Sequence, residues 1–196
     1  MGWAGVTSFL TFNIGGSGRE YWSEPVYYSY GGDSIIYRDD DPIVVNDVNL
    51  GPAREYRREV VSLVDSYDRL APASEGDVVA REWKPLGIYA ISDVDRGTDS
   101  PNRYVELVVS NRGAIGGTYH DLEQGQDYAI HGAVDPETQR VAWRVSETDE
   151  IFETGIYNLT RPESNALYIG DVTKQVLLVR VQDPQAQASA DTSVQP

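Results

Sequence analysis

Four aromatic side chains in the C-terminal half of the chain could form a binding site for a small molecule. They are Tyr89, Tyr119, Trp143 and Tyr157. If these positions face the inside of one β-structure, their rings would line an apolar cup with hydroxyl and indole groups as hydrogen-bonding handles. Such a cup suits a small amphipathic ligand. The favoured alternative is that the rings fill a closed core and leave no cavity.

Acidic residues in two loops suggest cation binding. Asp93, Asp95 and Asp99 surround Gly97, and oxygen ligands at alternating positions around a glycine are typical of calcium loops. The loop is not an EF-hand, because no glutamate closes the coordination. A weak calcium site is therefore predicted here, with the three aspartates at 39–41 as a second candidate, and no other cofactor is expected. The alternative is that these carboxylates are solvated turn residues.

The two histidines, His120 and His131, offer a different metal site. A turn at Gly125 and Gln126 would place the two rings opposite each other on the outer face of a β-hairpin, where Asp121 could add a carboxylate ligand. Two nitrogen ligands alone are an incomplete set, so exposed polar side chains are the alternative. Neither histidine has an evident serine partner, and the sequence contains no zinc-protease or serine-hydrolase motif. We therefore predict that the protein is not an enzyme.

Composition narrows the function classes further. The chain has 196 residues, 31 acidic against 16 basic, a net charge of −15 and no cysteine. Such an acidic chain lacks the basic surface that nucleic-acid binding requires. The lack of cysteine excludes disulfides, thiolate zinc sites and cysteine nucleophiles. The apolar runs are far shorter than the roughly 18–20 residues of a membrane span, and the first ten residues do not resemble a signal peptide.

The elements that would position these side chains are mainly strands. We predict eight of them in the C-terminal half, at 86–92, 104–110, 114–121, 128–134, 140–147, 152–160, 166–170 and 175–182. The links between them are short turns, which only antiparallel neighbours can use. The sequence therefore predicts an eight-stranded antiparallel up-and-down barrel, whose closure leaves no exposed edge strand.

The N-terminal half is predicted to form a smaller unit. A flexible segment over 1–20, with a short strand near Phe9, precedes a β-meander and one helix over 21–82. The meander would have three strands, and the helix would begin at Gly51 and Pro52. The barrel then occupies 83–183, and a disordered tail occupies 184–196.

An aromatic run in this unit could contact a partner. Its members are Tyr21, Trp22, Tyr27, Tyr28 and Tyr30. The strict alternation of a strand breaks at Tyr27 and Tyr28, so rings project from both faces. The helix would cover one face, and the second face indicates either a strand buried on both sides or a carbohydrate or protein contact.

Short motifs in the C-terminal half resemble those of the avidin family. They are G-A-I-G-G-T-Y at 113–119, Y-A-I-H-G at 128–132, T-Q-R-V-A-W at 138–143, T-G-I-Y at 154–157 and V-L-L at 176–178. The resemblance implies an eight-stranded barrel with a pocket at its open end, in which Tyr119 and Trp143 contact the ligand. The position of the asparagine that binds biotin is Ile91, and two further pocket tryptophans are replaced by Glu153 and Val176. The resemblance therefore implies the fold but not biotin binding.

Longer motifs resemble a group of exported bacterial proteins of uncharacterised function. The shared blocks are Y-W-S-E-P-V-Y-Y-S-Y-G at 21–31, G-A-V-D-P-E-T-Q-R-V-A-W at 132–143 and E-T-G-I-Y-N-L-T at 153–160. Some members carry a protocadherin-like, cell-surface label. This resemblance implies an extracytoplasmic location, either periplasmic or secreted.

These observations predict a non-enzymatic binding or surface-associated protein of mainly β structure. Its contact would be the barrel mouth or the N-terminal aromatic meander, and its partner a small molecule or another protein. Two alternatives stay open. One is a structural or assembly module with a solid barrel, and the other is a hydrolase or metal-dependent enzyme.

Overall fold

The structure of the chain, a computed structural model, describes residues 2–10, 24–30, 36–71, 82–93 and 101–181. The N-terminal elements are α1 (Trp3–Phe9), β1 (Ile36–Tyr37), β2 (Pro42–Val45), β3 (Val48–Pro52), α2 (Ala53–Val64) and α3 (Tyr67–Leu70). The barrel strands are β4 (Trp83–Asp93), β5 (Arg103–Ser110), β6 (Ala114–Asp121), β7 (Gln126–Val134), β8 (Arg140–Val145), β9 (Ile151–Gly155), β10 (Glu163–Ile169) and β11 (Thr173–Arg180). None of the helices in these residues combines the length and the apolarity needed to cross a bilayer.

The eight strands of the C-terminal half form a closed antiparallel barrel, as the sequence predicts. Each strand from β4 to β11 pairs antiparallel with the next. The barrel closes where β11 pairs with β4, from Val176 opposite Asp93 to Arg180 opposite Tyr89. The predicted strand over 152–160 is shorter than expected, because it ends at Gly155 and a 3-10 turn follows over Asn158–Thr160.

Alternation along the strands determines which side chains fill the barrel. On β5, Val105, Leu107 and Val109 belong to the inner core, while Glu106 between them is exposed. At Gly132, a Cβ atom would lie 2.0 Å from the carbonyl oxygen of Ala142 on the neighbouring strand. Only glycine allows the strands to approach this closely at that point.

The turn between β6 and β7 differs from the predicted one. The four residues 122–125 form it, and Asp121 accepts hydrogen bonds from the backbone N–H groups of Glu123 and Gln124, both at 2.9 Å. His120 therefore lies opposite Asp127, and His131 lies opposite Gly116. The predicted pairing of the two histidines is wrong, although the shift preserves which side chains face inward.

The N-terminal unit contains a small sheet and a helix, as predicted, but the sheet has two strands and not three. Strands β2 and β3 form a hairpin whose turn residues Asn46 and Asp47 have φ angles of 51° and 64°, as a two-residue hairpin turn requires. Strand β1 instead joins the barrel sheet, with Ile36 opposite Lys174 and Tyr37 opposite Thr173. The aromatic segment contributes one bridge, between Tyr30 and Val45.

Two hydrophobic clusters hold the molecule together. The first fills the barrel, and α1 contributes to it the fully buried Val6 at the barrel end near Tyr157. Residues 3–9 are thus helical, and the strand predicted near Phe9 is wrong there; its remainder lies outside the described residues. The second cluster lies between the outer barrel wall and the N-terminal unit, and includes Tyr56, Val60 and Leu167.

Candidate functional site

The four predicted cup residues lie in separate parts of the barrel. Tyr89 is buried near the end that carries α1, where its hydroxyl donates to the Leu159 carbonyl at 2.6 Å and accepts from Arg180 at 2.8 Å. Tyr157 follows β9 and packs edge-on against Trp3 of α1. Trp143 is fully buried, and Tyr119 lies further toward the opposite end. No two of these four rings are in contact with each other, so they do not form one cup.

Two of the four residues, Trp143 and Tyr119, belong instead to a larger set of aromatic side chains. Contacts between their rings form a continuous series from the core to one barrel end. The Trp143 ring stacks on Phe152 at a centroid distance of 5.6 Å, and Phe152 contacts Tyr168 at 5.4 Å and Tyr119 at 6.1 Å. Tyr119 in turn contacts Tyr128 at 6.4 Å. Trp143 and Phe152 are fully buried, whereas Tyr128 is half-buried. We call these five residues the aromatic ladder.

The ladder leads to the barrel end opposite α1, which we call the mouth. The turns at 122–125, 146–150 and 170–172 all lie at this end, because β6, β8 and β10 finish there. Leu122 on the first of these turns is 61% exposed. The mouth therefore carries the exposed Leu122 and the half-buried ring of Tyr128.

Charged side chains lie around the end of the aromatic ladder that is nearest the mouth. The Tyr168 hydroxyl donates to the Glu150 carboxylate at 2.8 Å. Lys174 donates to Asp93 at 2.6 Å, and Arg103 lies 3.6 Å from the same carboxylate. Charged side chains of both signs thus lie close to the mouth.

The hydroxyls of Tyr119 and Tyr168 are neutral at physiological pH, because burial raises the pKa of both. Burial raises the pKa of Tyr119 to about 12, Glu150 adds to this rise, and Arg103 opposes it. Burial also raises the pKa of Tyr168, and its hydrogen bond to Glu150 raises it further. A neutral hydroxyl has one hydrogen to donate and can also accept. The Tyr168 hydrogen is donated to Glu150, so Tyr168 can accept from a ligand, whereas Tyr119 can donate to one.

The predicted calcium ligands are only partly described. The Asp93 carboxylate contacts Lys174 and Arg103, whereas Asp95 and Asp99 lie outside the described residues. In the run at 39–41, Asp39 and Asp40 form ion pairs with arginines of α2. Within the described ranges, no three acidic or histidine side chains are grouped so that they could hold a metal ion. Calcium binding by the loop of Asp93 stays a prediction.

The histidines face outward, as predicted, but each has its own partner. His120 Nδ1 lies 2.7 Å from the Asp127 carboxylate. The ring of His131 packs on Tyr67 of α3, and its Nδ1 lies 3.4 Å from the Ser146 hydroxyl. The sequence did not suggest Ser146 as a partner, because the two residues are brought together only by the pairing of β7 with the end of β8.

Two members of the aromatic run, Tyr28 and Tyr30, pack on the barrel wall. Tyr28 donates its hydroxyl hydrogen bond to the Thr138 carbonyl at 2.6 Å, and its backbone N–H donates to Asn158 at 2.8 Å. Tyr30 is 1% exposed, whereas Tyr27 is 40% exposed. Tyr21 and Trp22 lie outside the described residues. Tyr28 and Tyr30, two residues apart on one face, therefore cover the barrel, whereas Tyr27 on the other face is partly exposed.

A buried carboxylate lies under this aromatic segment. Glu153 points outward from β9 and is fully buried. It accepts hydrogen bonds from Tyr30 at 2.5 Å, from Tyr56 at 3.0 Å and from Arg140 Nε at 3.0 Å. Burial raises the pKa of Glu153, while Arg140 and the two tyrosines oppose the rise. The sequence pattern does not reveal this cluster, since its members are separated by up to 123 residues.

Comparisons of the chain with protein-family models, with curated proteins and with solved structures find no match. The functional inference therefore depends on the geometry of the chain itself.

Proposed function

We propose that this protein is a non-enzymatic binding protein that holds a small amphipathic molecule at the mouth of its barrel. The observation that supports this proposal is the aromatic ladder, which extends from the fully buried Trp143 to the half-buried Tyr128. Aromatic rings that emerge gradually from a core provide apolar contact area without loss of flexible side-chain entropy.

The chemistry of the mouth fits a ligand with one apolar and one polar part. The apolar part would contact Tyr128 and the exposed Leu122. The polar part would meet the neutral hydroxyls of Tyr119 and Tyr168, and the nearby Arg103 would donate hydrogen bonds to an anionic group. Few but well-oriented polar groups beside aromatic surface are typical of small-molecule sites.

A thermal-shift screen with metals, sugars, biotin-like compounds and lipids tests the proposal. A ligand present at 100 times its Kd stabilises the native state by about 2.7 kcal/mol. We expect Tyr128→Ala to abolish the shift, and Tyr27→Ala, which removes an exposed ring of the N-terminal unit, to retain it. A shift that survives Tyr128→Ala would place the contact elsewhere and contradict the proposal.

A structural or assembly module with a solid barrel is the second candidate. The observation that favours it is that Tyr89, Trp143 and Phe152 are all buried in the barrel core. If this alternative is correct, no compound of the screen will raise the melting temperature. Sedimentation experiments over a series of protein concentrations would then show whether the protein self-associates.

We further propose an extracytoplasmic, surface-associated location, which is supported by the resemblance to exported bacterial proteins. Fractionation of cells that produce the natural full-length protein tests it. Recovery in the cytoplasmic fraction alone would contradict it.

A further inference from the structure

The aromatic segment that covers the barrel wall is held there by two side-chain amides of the barrel. Gln139 Nε2 donates to the Glu24 carbonyl, and Gln139 Oε1 accepts from the Val26 N–H, both at 2.9 Å. Asn158 Oδ1 accepts from the Tyr28 N–H at 2.8 Å, and Asn158 Nδ2 donates to the carbonyl of the same residue at 2.7 Å. The two amides thus pair with the main chain of alternate residues, as a neighbouring β-strand would.

The residues that hold the segment are built into the barrel. Asn158 is fully buried, and Gln139 is 2% exposed. Gln139 has a φ angle of 62°, a left-handed conformation that is unfavourable for a residue with a side chain and that recurs where ligands are clamped. A Cβ atom at Gly155 would lie 2.6 Å from the Tyr28 ring, so only glycine leaves room for the segment. We call Gln139, Gly155 and Asn158 the amide cradle, because they form a site for an extended peptide.

Contacts beside the amide cradle select side chains at two positions of the occupant. The Tyr28 hydroxyl donates to the Thr138 carbonyl at 2.6 Å, and the Tyr30 hydroxyl donates to the Glu153 carboxylate at 2.5 Å. Tyr27 makes no such contact with the wall and is 40% exposed. The site therefore fits an extended chain that carries tyrosines two residues apart.

The segment belongs to a part of the chain that precedes the barrel in sequence. We call this part the arm, described over residues 2–10 and 24–30. Among the described residues, backbone hydrogen bonds join the arm to the rest of the chain only near its end, at Ser29 and Tyr30. The arm forms no strand of the barrel sheet. It can therefore leave the amide cradle without breaking any pairing between barrel strands.

We propose that the amide cradle binds the arm of a second copy of this chain, so that two copies exchange arms and form a dimer. A second copy supplies the same main chain and the same two tyrosines, so each contact of the monomer forms again between the copies. The balance between monomer and dimer then depends mainly on the effective concentration of the arm at its own amide cradle, on the order of 1 mM for a short link. None of these residues belongs to the aromatic ladder, so the dimer is independent of ligand binding at the mouth.

Refolding of equal amounts of isotope-labelled and unlabelled chains tests the exchange. We expect native mass spectrometry to show dimers of mixed mass after refolding at about 1 mM, and almost none after refolding at about 1 μM. Dimers isolated from the first sample should return to monomers after dilution. Absence of mixed dimers at the higher concentration would overturn the proposal.

The same substitution at two adjacent tyrosines shows whether the arm forms the dimer. Tyr28→Phe removes the hydrogen bond to Thr138, whereas Tyr27→Phe removes an exposed hydroxyl. Because the hydrogen bond is present in both monomer and dimer, Tyr28→Phe should leave the dimer fraction unchanged. Its dimers should dissociate about fivefold faster on dilution, since the arm must leave the amide cradle first. Dimers of Tyr27→Phe should dissociate at the native rate, and equal rates for the two variants would show that the dimer forms through another surface.

A synthetic peptide of residues 24–30 tests whether the amide cradle is the site. At about 10 mM, tenfold above the effective concentration of the arm, it should compete for released cradles during refolding and lower the yield of mixed dimers. The same peptide with Tyr28→Ala should leave the yield unchanged. An unchanged yield with the native peptide would contradict the proposal. Saturable binding of the peptide without any mixed dimer would show that the site takes peptides but not a second copy, and would also overturn the exchange.

Discussion

The buried ion pair of Glu153 and Arg140 determines how the N-terminal unit fits on the barrel. Glu153 projects from the barrel wall and receives Arg140 Nε from the adjacent strand, together with two tyrosine hydroxyls from the N-terminal unit. Burial of a carboxylate is unfavourable unless it is paired and hydrogen-bonded. The cluster meets both conditions, so the N-terminal unit has one favourable position on the barrel.

We expect Glu153→Gln to destabilise the protein by about 3 kcal/mol. The substitution leaves the largely buried Arg140 with only the more distant Glu59 carboxylate, at 3.6 Å, as an ionic partner, and breaking a buried pair costs roughly 3–5 kcal/mol. Urea unfolding measures the change, with the exposed Glu137→Gln as control, which should cost less than about 0.5 kcal/mol. Replacing both charged partners, as E153L/R140M, removes the buried charge but leaves the hydroxyls of Tyr30 and Tyr56 without an acceptor, so it should recover only part of the loss. A Glu153→Gln cost near that of the control would contradict the description of this cluster.

The buried tyrosines predict that stability falls at alkaline pH. Burial raises the pKa of Tyr28 and of Tyr119 to about 12, from an ordinary value of 10.0. Because both groups ionise near pH 10 in the unfolded chain, their contribution is fully present below pH 10 and is lost as pH rises through about 12. Urea unfolding from pH 8 to 11.5 should show this decline. Tyr119→Phe should reduce its slope, and an unchanged slope would be evidence against burial of that hydroxyl.

At the scale of elements, the barrel strands follow from local sequence rules. Alternation of Val141, Trp143 and Val145 with polar neighbours and the short links between strands predicted the sheet, and the structure confirms it. The predicted β6–β7 register was wrong. The Asp121 side chain stabilises a four-residue turn, and the alternation of side chains does not specify the length of that turn. Glycine-rich surroundings made the strand at 113–119 compatible with either pairing.

Other elements depend on distant contacts and were not predictable in the same way. Helix α1 has no side-chain cap, and a helix of 7 residues is not stable in isolation; packing of Val6 into the barrel core accounts for it. Strand β1 has two residues and pairs with β11, over 130 residues later. The sequence predicted only part of the aromatic ladder. Tyr119 and Trp143 were among the predicted cup residues, whereas Phe152, Tyr168 and Tyr128 were not.

Helix α1 should behave as a cap on the barrel. Val6 is fully buried in the barrel core, whereas Ala4 on the same helix is exposed. We expect Val6→Asp to destabilise the protein by about 3 kcal/mol, because an unpaired charge enters an apolar site. Ala4→Asp should change stability by less than about 0.5 kcal/mol. If both substitutions have the same small effect in urea unfolding, α1 does not pack on the barrel in solution.

For the whole molecule, the interface between the barrel and the N-terminal unit implies joint folding. The second cluster contains Tyr56 and Val60 from α2 together with Ala142, Ile151 and Leu167 from the outer barrel wall. Separation of the two parts would expose these apolar side chains and the buried Glu153 at the same time. Parts that share this much buried surface unfold as one cooperative unit, as single domains of this size generally do.

Val60→Ala in α2 tests this cooperativity. Removal of two methyl groups from a fully buried position should cost about 2 kcal/mol, and because the parts unfold together, the loss should appear equally in both. Native-state hydrogen exchange measures this through the amides of α2 and of β8. Val48→Ala, at a position that is 57% exposed, should leave both sets unchanged. If α2 amides lose protection while β8 amides keep theirs, the N-terminal unit opens on its own, and the Glu153 cluster does not couple it to the barrel.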